Sequence, residues 1–411
     1  MGTRLELTII ALSLLCVVAT YTYASLREGS FVNIFTPTLA VVVPADYLLE
    51  AYNLTLHGPS GSVFAHVLMY GCHAASFAAF TFAYLWSSTP TLRLPFTAPL
   101  GAGSRFAPYL VLLAAIALYS PVLIEFRDVI STPRRIYELT RTGYGLYFFL
   151  STTLTYLALI LMLFQRRRGW IEPTLFTATC LVFLWLHGNK GPMLMLIFVL
   201  STYWVYVLGK RISVLVFAVC GTVLGAFGLA LFLLTNPALI LEHQGLEGLA
   251  KYSDTSRNGM LVIDSDISPL YGKLTLEDEL YSRIPRPLMP DKPNDFGSIY
   301  LAEHFYPTEF LLGQGAPAFS FGAVLADFGV LALPIVFVAS LLSGFLLKMF
   351  MTGFRRYRDP GSFTLVLFAA GLTLIPVSTK FVLPEAIVAA IAVNIFHYLR
   401  LGPHRMPQLA Q

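Results

Sequence analysis

The sequence predicts an all-α fold: a polytopic integral membrane protein with about eleven transmembrane helices (about 10–12) and a large external loop containing short interfacial helices. Hydrophobic residues make up 56% of the chain and charged residues 12%, whereas soluble domains carry about 25% charged residues. Apolar runs of about 20 residues, enough to cross a hydrocarbon core of about 30 Å, recur along the chain. Only helices or closed barrels satisfy the backbone in lipid, and uninterrupted runs of this length are helices.

The predicted spans follow the apolar runs in chain order. The first run is interpreted as a retained span rather than a cleaved signal peptide, and Pro37 and Pro44 could split the second. The predicted spans are 5–24, 31–52, 62–86, 106–124, 143–164, 174–188, 191–208, 212–235, 329–351, 361–379 and 381–400.

Basic clusters orient these spans. The clusters are Arg166 to Arg168, Lys210 with Arg211, Arg355 and Arg356 with Arg358, and Arg400 with Arg405. The excess of positive charge in cytoplasmic loops places all four inside the cell. Alternation then puts 125–142, 187–191 and 236–310 outside, 25–30 and 87–105 inside, and the N-terminus outside.

We therefore expect three regions: an N-terminal transmembrane helix bundle at 1–235, a large periplasmic loop at 236–310 and a C-terminal transmembrane region at 311–411. Within the loop, short helices are predicted at 239–252 and 274–284. Gly259 is expected to end a helix and Thr275 to cap the second one. The glycine-rich stretch 311–328 is interpreted as a re-entrant or interfacial helix.

Metal and disulfide chemistry is not expected. All four cysteines, Cys16, Cys72, Cys180 and Cys220, fall inside apolar runs, which argues against a disulfide framework or a zinc site. No carboxylate pair has the spacing of a metal site, so we expect metal independence and no cofactor. His66 and His73 share a helix face, and without a third ligand they predict packing or interhelical hydrogen bonds.

The external loops keep many cations although the orientation bias works against them. Salt bridges to Glu125, Asp128 or Glu138, or simple solvation of the loops, would explain them one by one. Taken together, they could converge on one anion, because arginine donates in a fork that suits phosphate and lysine supplies a point charge. These residues are Arg127, Arg134, Arg135, Arg141, Lys190, Arg257, Arg283, Arg286 and Lys292.

Two stretches sharpen this hypothesis. Prolines frame Arg286 and Lys292 in RIPRPLMPDKPND and lower the entropy cost of holding these cations, although the stretch could also be a linker. In HGNKGPM, Lys190 stands between glycines at the start of a helix, where backbone amides favour an anion. A tight turn with a snorkelling lysine is the alternative.

Titratable groups supply further candidates. His304 could take a proton from a hydroxyl, and Glu303, Glu309 or Asp295 could serve instead. Asp46 and Glu50 lie four residues apart at apparent membrane depth, as does Asp327, and ionisable groups there are functional candidates unless the segment end lies at the interface.

Several motifs in 125–350 occur in the order found in Wzy-type oligosaccharide repeat-unit polymerases. IPRPLMPDKP resembles their Pro-Arg…Pro-x-Lys-Pro signature, GNKGPML their glycine-rich turn, and YELTRTGYGLYFFL their Tyr-x-x-Thr-Arg-x-Gly stretch. FGAVLADFGVLALPIVFVASLLSG is similar to their Phe-Gly segment and long apolar helix. Arg134 with Gly145 and Arg286 with Gly297 match their spacing of an arginine, ten residues and a glycine. Lys190 departs from the pattern where arginine is common, which removes the bidentate geometry.

The resemblance implies a bacterial inner-membrane glycosyltransferase of the GT-C-like superfamily, active at the periplasmic face. It would transfer a growing glycan from undecaprenyl diphosphate to a new lipid-linked repeat unit for O-antigen or exopolysaccharide synthesis. A chain-length regulator is the partner implied besides the lipid bilayer, and no nucleic acid is expected. We assign catalytic roles to Arg286, Arg134 and His304. Binding of diphosphate and glycan is assigned to Lys190, Arg257, Lys292, Arg283, Arg135 and Arg141.

Three alternative functions remain open from the sequence. An O-antigen ligase would use the same donor with lipid A core as the acceptor, and the motifs barely separate the two enzymes. A polyprenyl-monophosphate glycosyltransferase is disfavoured because the acidic early external loop of that class is absent. A lipid-linked glycan transporter or flippase would need broken helices with charge at the midplane in paired halves, and no internal repeat is found.

Overall fold

The computed structural model confirms the all-α prediction, because the residues it describes contain helices, turns and loops but no strand. Side chains such as Leu12, Leu15 and Phe149 are exposed, as expected for helix faces that contact lipid. The structure describes residues 2–86, 88–97, 104–139, 144–165, 169–188, 190–216, 218–219, 222, 254–281, 284, 288–293, 295–311, 318–370 and 383–398.

Helices are numbered in chain order. They are α1 (Gly2–Glu28), α2 (Thr36–His57), α3 (Val63–Trp86), α4 (Ala107–Glu125), α5 (Pro133–Leu139), α6 (Gly145–Leu163), α7 (Ile171–Trp185), α8 (Lys190–Thr202), α9 (Asp254–Asp264), α10 (Lys273–Tyr281), α11 (Ser298–Phe305), α12 (Pro307–Leu311), α13 (Gly322–Phe328), α14 (Ala332–Tyr357), α15 (Pro360–Ala370) and α16 (Leu383–Tyr398).

Six helical segments in the described part are long and apolar enough to cross a membrane: α1, α2, α3, α4, α6 and the segment Gly322–Tyr357 that contains α13 and α14. Shorter apolar helices occur at Ile171–Trp185, Gly191–Val207, Pro360–Ala370 and Glu385–Tyr398. The total of about eleven spans remains a prediction. The predicted helix at 239–252 and most of the predicted span at 212–235 lie outside the described residues.

The chain forms two compact units, each assembled from separate stretches of sequence. The first contains Met1–Ser88, Gly209–Lys348 and Ala370–Phe381, and the second contains Thr89–Leu208, Met349–Ala369 and Val382–Gln411. The first unit therefore contains apolar helices such as α1 and α3 together with α9 to α12. The helices α9 to α12 come from the predicted external loop and the residues just after it.

In the first unit, α1 packs along α3, and α14 approaches α3 closely at Gly344. A Cβ at position 344 would overlap the Phe80 carbonyl, so glycine permits the contact. The second apolar run is not split at its prolines. It continues through one π-helical turn, in which the Leu49 amide donates to the carbonyl of Pro44, five residues earlier. Such turns often occur at functional sites.

Two local predictions for the loop helices are wrong. Gly259 does not end a helix, because it lies within α9, where a side chain would overlap Met69 and approach the Phe319 carbonyl. Thr275 is not the cap of α10. Asp327 of α13 caps that helix instead, accepting hydrogen bonds from the Leu274 amide at 3.0 Å and the Thr275 amide at 2.8 Å.

In the second unit, α4 packs along α6, and α6 contacts α7 and α16. α15 and α16 meet at Gly361, whose missing side chain leaves space for the Ala390 carbonyl. The Gly361 amide donates to Asn394 Oδ1 at 2.8 Å, and Asn394 Nδ2 donates to the Pro95 carbonyl. Asn394 is fully buried, so these bonds satisfy a polar side chain inside an apolar bundle.

Within each unit, contacts join loop ends that the predicted alternation of spans places on the same side of the membrane. At one end of the first unit, Asp264 of the predicted external loop binds Ser62, which follows the second predicted span. At another point, Tyr84 donates to Glu28, near the loop predicted to lie inside. In the second unit, Gln165 donates to the Ser104 carbonyl, and both residues adjoin predicted cytoplasmic segments. Which ends face the periplasm remains a prediction.

Candidate functional site

Two of the predicted external segments meet in the second unit. Gly188 has a φ of +67°, and a Cβ there would overlap the Pro133 carbonyl, with Arg134 N at 3.0 Å. The turn between α7 and α8 therefore lies directly against the first turn of α5. Glycine is required at this position for both backbone conformation and space. This main-chain contact supports the hypothesis that the Arg134 loop and the Lys190 turn lie together.

His187 holds this turn in place, and its role was not predicted from the sequence. The side chain is fully buried. Its Nδ1 donates to the Phe183 carbonyl at 2.9 Å, which leaves Nε2 to accept a hydrogen bond from the Ser151 hydroxyl at 2.8 Å. The ring stacks on Tyr119 with centroids 3.9 Å apart. His187 thus joins α4, α6 and α7 directly before the glycine-rich turn.

The cations of this region differ in how they are held. Arg134 is half-buried on α5, with its guanidinium carbon 5.2 Å from the centre of the Tyr137 ring, while Arg135 is exposed. Lys190 is the first residue of α8, where the free amides of a helix start favour an anion. The Lys190 side chain and Arg141 lie outside the description.

Two of the predicted salt-bridge partners, Glu125 and Asp128, have different contacts in the structure. Glu125 accepts a hydrogen bond from the Tyr144 hydroxyl. Asp128 lies 3.8 Å from the guanidinium of Arg127, and both side chains are almost fully exposed. An exposed pair of this kind contributes little to stability. The simpler explanation of these cations as salt-bridge partners therefore holds for Arg127.

The two glycines that are separated from an arginine by ten intervening residues have different structural roles. Gly145 begins α6, and a Cβ there would meet only the Phe149 ring at 3.8 Å or beyond. Gly297 precedes α11 with a φ of +59°, and a Cβ there would lie 2.7 Å from Asp278 Cβ. The local structure therefore requires glycine at position 297 and leaves room for alanine at position 145.

In the first unit, two carboxylates of α2 bind consecutive residues of α9. Asp46 accepts a hydrogen bond from the Ser256 hydroxyl at 2.7 Å. Glu50, which is fully buried, accepts one from Arg257 Nε at 2.8 Å. Because Asp46 and Glu50 lie one helical turn apart, they meet the same turn of α9. The π-helical turn that carries Asp46 is itself fixed by the Tyr70 hydroxyl, which donates to the Asp46 carbonyl at 2.7 Å.

A third contact anchors the other end of α9. Asp264 accepts hydrogen bonds from the amide of Ser62 at 2.6 Å and from its hydroxyl. Between the anchors, Met260 and Val262 are fully buried. This helix of the predicted external loop is therefore docked on α2 and α3 by polar contacts at both ends and apolar contacts between them.

A small cavity of about 50 Å³ lies beside the first of these anchors. Asp46, Tyr47, His73 and Ser320 contribute polar groups, and His73 Nε2 lies 3.4 Å from the Ser320 hydroxyl. The volume is large enough for a few water molecules and too small for a sugar. Ser320 lies in the turn before α13, so this contact joins a helix to a turn, and the ring contacts of His73 with Tyr47 and Phe321 agree with the predicted packing.

The remaining predicted residues of the first unit are Lys292 and His304. Lys292 Nζ donates to the Ile284 carbonyl at 3.0 Å and lies 4.6 Å from the centre of the Phe296 ring. His304 is exposed near the end of α11, where its ring stacks on Tyr300. The structure therefore fixes Lys292 and leaves His304 accessible. Arg283 and Arg286 lie outside the described residues.

Comparison with characterised proteins decides the family. The chain is 35% identical over 395 residues to the O-antigen polymerase of Salmonella typhimurium (strain LT2), and the match covers 95% of each chain. The O-antigen polymerase of Salmonella typhi matches equally well. The chain belongs to the O-antigen polymerase family. No family model and no solved structure matches it.

Sequence reasoning gave too little weight to two acids of this O-antigen polymerase, Asp46 and Glu50. Asp46 and Glu50 were weak candidates because their position could have been the end of a span. The structure buries Glu50 completely and pairs it with Arg257, a predicted substrate ligand. A usable signal was present, because two acids one turn apart in an apolar run need partners. Arg257 is therefore held by a carboxylate and is not simply a loop cation.

Proposed function

We propose that this chain polymerises undecaprenyl-diphosphate-linked O-antigen repeat units. The observation that supports the proposal is the match to two O-antigen polymerases over 95% of each chain. The apolar helices support a multi-pass membrane enzyme acting on a lipid-linked substrate. We further propose that it resides in the bacterial inner membrane with its site facing the periplasm, and that a chain-length regulator acts with it.

The proposed reaction transfers the growing glycan. A hydroxyl at the non-reducing end of the new repeat unit attacks the anomeric carbon of the donor glycan. The bond between this carbon and the diphosphate oxygen breaks, and undecaprenyl diphosphate leaves with the electron pair. Negative charge grows on the phosphate oxygens in the transition state, so preorganised cations accelerate the step.

Arg134 and Arg286 are proposed to stabilise the departing diphosphate, with Lys190, Arg257, Lys292, Arg283, Arg135 and Arg141 binding diphosphate or glycan. Support for the Arg134 region comes from its contact with the turn that leads into Lys190. Arginine suits the leaving group because its fork donates two hydrogen bonds to phosphate oxygens. Since these arginine and lysine cations can neutralise the anionic diphosphate themselves, the proposed step needs no metal ion, and metal independence stays a prediction.

The proton of the attacking hydroxyl needs an acceptor. His304 is proposed for this role because its ring is exposed on α11 and histidine is the side chain that most often acts as a general base. Glu303 on the same helix is also exposed. Replacing His304 with glutamine should lower the rate and flatten the pH profile if histidine is the base.

A deletion strain tests the function. A strain that lacks the polymerase should carry surface glycan of a single repeat unit, because the ligation step still operates. Loss of all surface glycan would favour a ligase or a flippase. Purified protein in detergent should lengthen a lipid-diphosphate glycan, whereas a flippase would form no product under these conditions.

A further inference from the structure

The ion pair between Arg257 and Glu50 has a geometry that leaves much of the guanidinium unused. Glu50 Oε2 accepts a hydrogen bond from Arg257 Nε at 2.8 Å, and Glu50 Oε1 lies 3.3 Å from the Ser60 hydroxyl. Arg257 Nη2 is buried and has no hydrogen-bond partner among the described residues. A buried donor without a partner is costly, and an acceptor that arrives with a ligand would satisfy it.

The surroundings hold Arg257 in one position. Glu50 is fully buried, while 21% of the Arg257 side chain is exposed. The preceding residue, Ser256, is fixed by Asp46, and the far end of α9 is fixed by Asp264. The guanidinium is therefore held at Nε by Glu50 with its Nη2 buried, while part of the side chain is exposed.

Stability alone explains this arrangement poorly. A buried ion pair loses so much hydration energy that well-packed apolar residues often stabilise a protein as well or better. Arginine is the residue of choice when a second anion must be bound in a fork geometry. The unpartnered Nη2 thus points to a ligand with phosphate or carboxylate oxygens.

We propose that Glu50 is a positioning residue that orients Arg257 so that its terminal nitrogens meet the diphosphate of the lipid-linked substrate. This inference rests on the proposed function. It gives Glu50, a residue of the apolar helix α2, the role of orienting Arg257. Arg257 belongs to the predicted external loop and is the residue proposed to bind substrate. Glu50 itself touches no substrate and acts through Arg257.

The test uses purified full-length protein and a lipid-linked repeat unit. Glu50→Gln keeps the size of the side chain and removes its charge. We expect kcat to fall at least about tenfold while KM changes less than about threefold, since the lost interaction matters most in the transition state. Glu172→Gln is the matched control, because it makes the same change at a carboxylate of α7 that accepts a hydrogen bond from Tyr109 at 2.7 Å and does not contact Arg257. Its kinetic constants should stay within about twofold of wild type.

Charge reversal separates positioning from mere structure. In the double variant Glu50→Arg with Arg257→Glu, the ion pair can form again, so the thermal midpoint should recover relative to either single variant. Activity should not recover, because the cation now stands on α2. Recovery of both stability and activity would overturn the proposal, as would Glu50→Gln kinetics equal to those of the control.

If the double variant does not fold, Arg257→Lys decides the question. It keeps the positive charge near Glu50 and loses the fork, so kcat should again fall about tenfold or more. Unchanged kinetics in that variant would refute the proposal. Wild-type protein in the same assay keeps the two hypotheses apart: no polymer from wild type refutes the proposed function, whereas active wild type with fully active variants refutes only the role of Glu50.

Discussion

Replacement of Gly188 by alanine should disrupt the contact between the glycine-rich turn and the Arg134 loop. The residue has a φ of +67°, and a left-handed conformation costs about 1–2 kcal/mol for an alanine. Its Cβ would also overlap the Pro133 carbonyl. Because a backbone atom cannot rotate away, relief requires a shift of α5, and overpacking of this kind costs about 1–3 kcal/mol.

The two costs together amount to about 2–5 kcal/mol. We would measure the free energy of unfolding by titration with SDS in mixed micelles, together with the polymerisation rate. Gly169→Ala is the matched control, because a Cβ there meets nothing within 4 Å. The variant should lose both stability and activity, and the control neither. Wild-type stability in Gly188→Ala would refute the described packing of the turn.

Three further predictions concern other residues. Asp327→Ala removes the acceptor for the Leu274 and Thr275 amides and should lower the free energy of unfolding by about 1.5–3 kcal/mol. Hydrogen exchange should show faster opening of α10, and unchanged protection of its amides would count against the cap. Gly259→Ala should cost about 1–3 kcal/mol by overpacking, measured by SDS titration, with a neutral effect contradicting the contact with Met69. Arg134→Lys keeps the charge and loses the fork, so polymerisation should slow by about tenfold to a hundredfold; wild-type rates would remove Arg134 from the site.

The fold class could be predicted because composition and run length decide it. A chain with long apolar runs has few alternatives to helices in lipid. The continuity of α2 could not be predicted, because a proline can break a helix or, as Pro44 does, stand in a π-helical turn. Such a choice depends on neighbouring helices, and here Tyr70 of α3 holds that turn.

Local signals failed where distant residues take over. Gly259 has the residue type of a helix stop, but burial against Met69 makes glycine useful in the middle of α9. Thr275 has the residue type of a cap, yet Asp327 supplies the cap from 52 positions away. In both cases tertiary packing overrides local propensity.

The candidate site was predictable in its residue types and less so in its pairing. Cations in the predicted external loops were recognisable because they oppose the orientation bias. The partner of Arg257 was not, since Glu50 lies 207 positions away and its run reads as an ordinary span. His187 was also missed, because a lone histidine at the end of an apolar run gives no sign of the three helices that it joins.

The central claim is that external arginines stabilise the departing lipid diphosphate. The most direct measurement is the single-turnover rate of glycan transfer by purified Arg134→Ala and Arg286→Ala, with Arg356→Ala of a predicted cytoplasmic cluster as the control. The account predicts that transfer slows by about tenfold to a hundredfold in the first two variants and is unchanged in the control. Transfer at the wild-type rate by correctly folded Arg134→Ala and Arg286→Ala would contradict it.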